Sequence, residues 1–137
     1  INTVLDELSI LDNQKGNDIL NVCGSECAKL GNLFEKARLV REKFKTNQDI
    51  DEIFKAFKKE YYNSKNLIKK GNQITLIFEE CTCPLFKEGV NHPFLCHCTQ
   101  GYTKKIFETL FEHSIHVELE QSVLKGGLIC KQIITLL

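Results

Sequence analysis

The chain has 137 residues, with 18 basic and 18 acidic side chains for a formal net charge of zero, and 42% of its residues are hydrophobic. That length and balance suit one soluble domain with a real core, and they argue against a membrane protein or a strongly basic nucleic-acid binder. No apolar run approaches the roughly 18 residues of a membrane span.

The chain begins at Ile1, lacks methionine and shows no secretory leader pattern. It therefore reads as an N-terminally truncated or processed single domain over 1–137, with a helical part at 1–63 and a sheet part at 64–137. Asn17 is a candidate cap for a first helix through "DILNVCGSECAKL", whose apolar face would be Ile19, Cys23, Cys27 and Leu30. Gly31-Asn32 marks a break. "NLFEKARLVREKF" follows, with Leu33, Ala37, Val40 and Phe44 on one face. A third helix starts at the capping residues of "TNQD" and carries Ile50, Ile53, Phe54, Phe57 and Tyr61 on one stripe. Between Glu35 and Lys70 lie eleven Lys/Arg and six Asp/Glu. They interleave at helical spacing, so a solvated helix face explains them better than a nucleic-acid patch.

The period then changes. "NLIKKGNQITLIFEE" reads as two strands around Gly71-Asn72, a dipeptide suited to a tight hairpin because both residues tolerate positive φ. The loop "ECTCPLFKEGVNHPFLC" holds both prolines and cannot be a central strand. Thr99 is a candidate cap for a helix through about Glu112, buried through Tyr102, Ile106, Phe107, Leu110 and Phe111. "SIHVELEQS" alternates, with Ile115, Val117 and Leu119 inward and His116 outward. After a glycine turn, "LICKQIITLL" closes the chain as a mostly buried strand. The expected fold class is α+β, with N-terminal helices packed on an antiparallel four-stranded sheet in the order αααββαββ.

The chemistry concentrates in the cysteines. There are seven, an odd number in a chain with long amphipathic helices, which favours a reducing cytoplasm over a disulfide scaffold. Cys81, Cys83, Cys96 and Cys98 form C-x-C-x12-C-x-C. If each C-x-C is extended, its two sulfurs face one side, and two such arms supply the four thiolates that zinc or another thiophilic metal prefers. Alternatively, Cys96 or Cys98 is a reactive thiol. A helix N-terminus presents unpaired N–H groups that favour a thiolate, and His92 could approach from across the loop as a base. Buried packing is the bland alternative. Cys23 and Cys27 sit one turn apart. Core packing is their leading reading, with ligation alongside the loop as the alternative. Gly24 lies inside their helix at a cost of about 1 kcal/mol relative to alanine, and it leaves room for a close approach by another helix, the loop or a ligand. Cys130 reads as a residue of the sheet's packed face.

The stretch "LCHCTQGYTKKIFETLFEHSIHVELEQSVLKGGLICKQIITL" resembles the C-terminal half of 4-vinyl reductase domains. The matching positions are Cys96 or Cys98, Gly101, Val117 with Glu118, Ser122, Gly126 and Cys130. The resemblance implies a compact, often dimeric α+β domain with a small-ligand pocket. It adds Gly101 and Cys130 as ligand-binding candidates beside Cys23 and Cys27, which their own spacing offers. "C-G-x-x-C-A" at Cys23–Ala28 resembles an uncharacterised bacterial cysteine-rich group. A further resemblance, to 2-amino-thiazoline-4-carboxylate hydrolases, implies thiol-dependent hydrolysis. Three functions follow as expectations: a small-molecule or metal-binding domain acting as sensor or accessory, a cysteine hydrolase, or a homodimeric interaction domain.

Overall fold

The computed structural model describes residues 2–10, 13–46, 49–60, 65–78, 88–89, 92, 95–122, 124, 126–127 and 129–137. Among these residues, five helices and four strands follow in order as α1 (Asn2–Ile10), α2 (Asn13–Ala28), α3 (Asn32–Lys43), α4 (Ile50–Glu60), β1 (Leu67–Lys70), β2 (Gln73–Phe78), α5 (Cys96–Phe111), β3 (Ile115–Gln121) and β4 (Cys130–Leu136). The α+β class and the order of the expected elements hold. One helix is additional: α1, whose short sequence carries no capping signal strong enough to announce it. α2 also starts earlier than expected, and Asn17 lies inside it with its carbonyl accepting from Asn21 Nδ2 at 2.8 Å.

The sheet runs β1-β2-β4-β3 and every pairing is antiparallel. The β1–β2 hairpin pairs Lys70 with Gln73, leaving Gly71-Asn72 as its two-residue loop. Only Gly71 takes positive φ, at 61°, so Asn72 does not use the left-handed tolerance that the sequence suggested for both. Two neighbours make β4 a central strand. Its inward set, Gln132, Ile134 and Leu136, is buried. β3 alternates as expected, with Ile115 and Val117 buried and His116, Glu118 and Glu120 exposed.

The main core lies between this sheet and the helices. It joins Ala37 and Val40 of α3, Ile53, Phe54 and Phe57 of α4, and Ile106, Phe107, Leu110 and Phe111 of α5 to Leu67, Ile74, Leu76, Ile115, Val117 and Ile134. Phe107 meets Phe57 edge-on at 5.7 Å and stacks on Phe111 at 6.1 Å. α4 begins where Asp49 Oδ1 accepts the backbone N–H groups of Asp51 and Glu52, at 3.0 and 3.3 Å, and so satisfies two orphan donors. The sequence reading placed Tyr61 on this helix's stripe; it lies outside the described residues. Asp51 then reaches Lys69 on β1 at 2.5 Å, and that hydrogen bond holds its carboxyl below the usual aspartate range. α5 ends at Glu112, which adopts the left-handed conformation and returns its N–H to Glu108 at 2.8 Å. His113, expected at this terminus, places Nδ1 3.2 Å from the carbonyl of Leu137.

α2 corrects the sequence reading most. Its expected buried stripe of Ile19, Cys23, Cys27 and Leu30 faces solvent: all four residues are exposed, Leu30 at 90%. The buried face is Gly16, Leu20, Gly24 and Ala28, at steps of four. The reason is the helix that α2 packs on. A Cβ at Gly24 would overlap the carbonyl oxygen of Cys98 and lie 2.7 Å from the backbone nitrogen of Tyr102. A Cβ at Gly101 would overlap the backbone of Asn21. α2 and α5 therefore touch backbone to backbone, and only glycine permits that approach. Gly24 admits another helix, and Gly101, a ligand candidate by resemblance, is the matching gap in α5.

A satellite cluster sits apart from the main core. Leu5 of α1, Leu20 of α2 and Leu95 are buried together, with Cys98 and Leu124 packed against them.

Candidate functional site

α5 starts at Cys96, not at Thr99. Leu95 occupies the N-cap in a helical conformation and supplies no side-chain cap. Cys96, His97 and Cys98 are thus first-turn residues. The extended C-x-C geometry assumed for the second arm does not form here. Successive helical side chains turn by 100°, so Cys96 and Cys98 leave the axis about 200° apart. Cys96 turns to Ser122, at the end of β3; Cys98 packs with Leu5, Leu20 and Leu95. These two sulfurs therefore do not converge on one point. Cys81 and Cys83, the other half of the expected tetrahedral set, lie outside the described residues. Among the described residues no group of three or more His, Cys, Asp or Glu side chains is placed to hold a metal ion.

The contact of Cys96 Sγ with Ser122 Oγ is 2.9 Å, and both residues are buried, at 6% and 3% exposure. The chain is built to make it. The β3–β4 register is irregular between Leu119 and Gln121, and the strand ends just beyond. Ser122 then accepts the N–H of Gly127 at its carbonyl, at 2.8 Å, which folds the connection back. A Cβ on Gly127 would lie 2.9 Å from that carbonyl oxygen, so the fold-back requires glycine. Leu119, Glu120, Gln121, Ser122 and Gly127 line an open groove of about 220 Å3. Ser122 belongs both to this groove and to the thiol contact.

A second polar feature is buried on the neighbouring strand. Gln132 on β4 pairs with Leu119 and is 1% exposed, yet its Oε1 has no hydrogen-bond partner. A buried acceptor left unmade costs about 1–3 kcal/mol. Gln132 shares the inward parity of Cys130, Ile134 and Leu136, so a polar residue stands where the pattern asks for an aliphatic one. That break in parity was visible in "CKQIITL" and was the signal to follow.

The histidines have other partners. His97 Nδ1 lies 2.9 Å from Gln100 Oε1, while Gln100 Nε2 donates to the carbonyl of Val117 at 3.3 Å. With the amide in that orientation Oε1 must accept, which puts a proton on Nδ1 of His97. His92, the candidate base, places Nε2 2.7 Å from Asp6 Oδ1 on α1. Its carbonyl accepts the N–H of Leu95 at 3.1 Å. Cys130, half-buried, stands opposite Phe78 in the β2–β4 register. Cys23 and Cys27 are free thiols on the solvent side of α2.

The sequence profile of a family described only as of unknown function, DUF6144, matches residues 4–137. The chain belongs to that family. The match takes in every element from α2 to β4, and so the thiol contact, the groove and the glycine crossing are all features of a DUF6144 domain. No curated protein matches the chain. No helix among the described residues is long and apolar enough to cross a membrane.

Proposed function

We propose that this DUF6144 domain binds a small ligand at the N-terminal end of α5, with Cys96 and Ser122 as polar anchors and the end of β3 as the wall. The observation that carries this reading is the buried 2.9 Å contact between Cys96 Sγ and Ser122 Oγ at the edge of the groove. Ser122 stands in a concave wall with Leu119, Glu120 and Gln121, and convergent polar groups in a concave setting are what orients a small molecule. Gln132 does not line the groove, but its unpartnered Oε1 belongs to the β4 position paired with Leu119 of the wall, which favours a ligand that donates a hydrogen bond, such as an amide, amine or ring N–H. The exposed thiols of Cys23 and Cys27 accord with a reducing cytoplasm.

The test separates binding from folding. A thermal-shift screen of small amides, lactams and heterocyclic N–H compounds on the intact chain should yield ligands. Their affinity should fall at least tenfold in Ser122→Ala and in Gln132→Met. Gln132→Met should leave the ligand-free melting point unchanged or raised, because it removes an unmade acceptor. If no compound shifts the melt, or if the shifts survive both substitutions, the reading is wrong. A metal version of the site would draw on Cys96 with Cys81 and Cys83. Stoichiometric zinc in anaerobically prepared protein, lost in Cys96→Ser, would replace the small-molecule reading with that one.

A further inference from the structure

The two thiols of α2 belong to neither the α5 site nor the core. Cys23 and Cys27 are exposed and one helical turn apart. Positions i and i+4 overlie one another on a helix surface, with their Cβ atoms about 5–6 Å apart. Metal–thiolate bonds are slightly over 2 Å, so two sulfurs on opposite sides of one ion stand roughly 4–5 Å apart, a span that an i, i+4 pair reaches by side-chain rotation alone.

The helix beneath them is also held in one rotation. Gly24, between the two cysteines, is locked against the backbone of Cys98 and Tyr102, and Asn21 against Gly101. α2 cannot roll without a backbone clash, so both thiols stay on the solvent side in a fixed relation. This is the pre-organisation that a bidentate site needs. The surroundings suit a soft ion and not a hard one. Ile19 and Val22 precede the pair and Leu30 follows it, all exposed. The intervening carboxylate of Glu26 is held by Lys29 at 3.0 Å. A hard cation would want several oxygen donors here; two thiolates in an apolar rim select a soft, two-coordinate one.

We propose that Cys23 and Cys27 form a surface clamp for a soft, two-coordinate d10 cation of the Cu(I) type. On binding, two S–Cu bonds form, the two S–H protons pass to solvent and no electron is transferred. The site takes no sulfur from α5 or from residues 79–94, so it stands whether or not the ligand site does.

The experiment is an anaerobic titration of the whole chain with Cu(I), supplied as its acetonitrile complex against a chromophoric Cu(I) chelator. The wild-type chain should retain one tight equivalent more than Cys23→Ser/Cys27→Ser, whose circular dichroism should be unchanged because both positions are exposed. A second variant, Cys27→Ser/Lys29→Cys, keeps the thiol count but moves the second thiol six residues from Cys23, into the turn beyond the end of α2 and off the shared helix face. It should lose the same equivalent. The proposal is overturned if the double serine variant binds as much Cu(I) as the wild type. It is likewise overturned if the Lys29→Cys variant recovers the lost equivalent. A doubling of solution mass at one equivalent, abolished by the serine pair, would mean that the ion bridges two chains, and would also overturn the single-chain clamp.

Discussion

Two glycines decide how this domain is assembled, and their effect runs against intrinsic propensity. Glycine in a helix interior costs about 1 kcal/mol relative to alanine, so Gly24→Ala and Gly101→Ala would each stabilise an isolated helix. In the folded chain the added methyl of Gly24→Ala meets the Cys98 carbonyl, and that of Gly101→Ala meets the Asn21 backbone. Backbone cannot move aside as a flexible side chain does. Overpacking typically costs 1–3 kcal/mol and more where backbone must shift, so the clash should outweigh the propensity gain. Each substitution should lower stability by about 2 kcal/mol or more in urea denaturation, with a helix signal that persists until unfolding. A variant as stable as the wild type would mean that α2 and α5 are not in backbone contact.

At the scale of elements, α2 shows why a hydrophobic stripe can point the wrong way. Ile19, Cys23, Cys27 and Leu30 are more apolar than Gly16, Leu20, Gly24 and Ala28, and a reading by hydropathy buries the first set. The structure buries the second, because contact between two helix backbones is worth more than the burial of larger side chains that would hold them apart. Two substitutions on adjacent residues test this. Leu20→Ala should cost roughly 2–3 kcal/mol, as a buried leucine truncation does, while Ile19→Ala should change stability by less than about 0.5 kcal/mol. Equal losses, measured by denaturant midpoint, would restore the hydropathy reading. The elements with ordinary packing were legible. α3, α4, α5 and β3 bury most of the described members of the sets that their periodicity announced, with Leu33, Phe44, Ile50, Tyr102 and Leu119 half-buried, because bulky side chains pack together there. α1 was not, since its nine residues lean on one described leucine, Leu5. The thiol contact was half legible. Cysteine spacing pointed to Cys96, but pairing it with Ser122 depends on the β3 irregularity and the glycine fold-back, which no local pattern encodes.

At the scale of the whole molecule, the described residues form two hydrophobic clusters joined by α2 and α5. The main core is large and aromatic; the satellite rests on Leu5, Leu20 and Leu95. α1 is fastened to the satellite by Leu5 and by the Asp6–His92 contact at 2.7 Å, and the His92 carbonyl accepts the N–H of Leu95, which precedes the first turn of α5. The candidate ligand site thus stands at the junction between a strongly packed half and a weakly packed one. Such junctions open locally at lower cost than the global unfolding free energy. Leu5→Ala should therefore act locally. A loss of about 2 kcal/mol in the satellite corresponds to a rise of roughly 30-fold in amide exchange there. Hydrogen exchange read by mass spectrometry should show that rise in α1 and at residues 95–98, with protection at 106–111 of α5 and along β4 unchanged. A uniform rise across β4 and the end of α5 would show a single cooperative unit, and the division into two clusters would then describe packing but not stability.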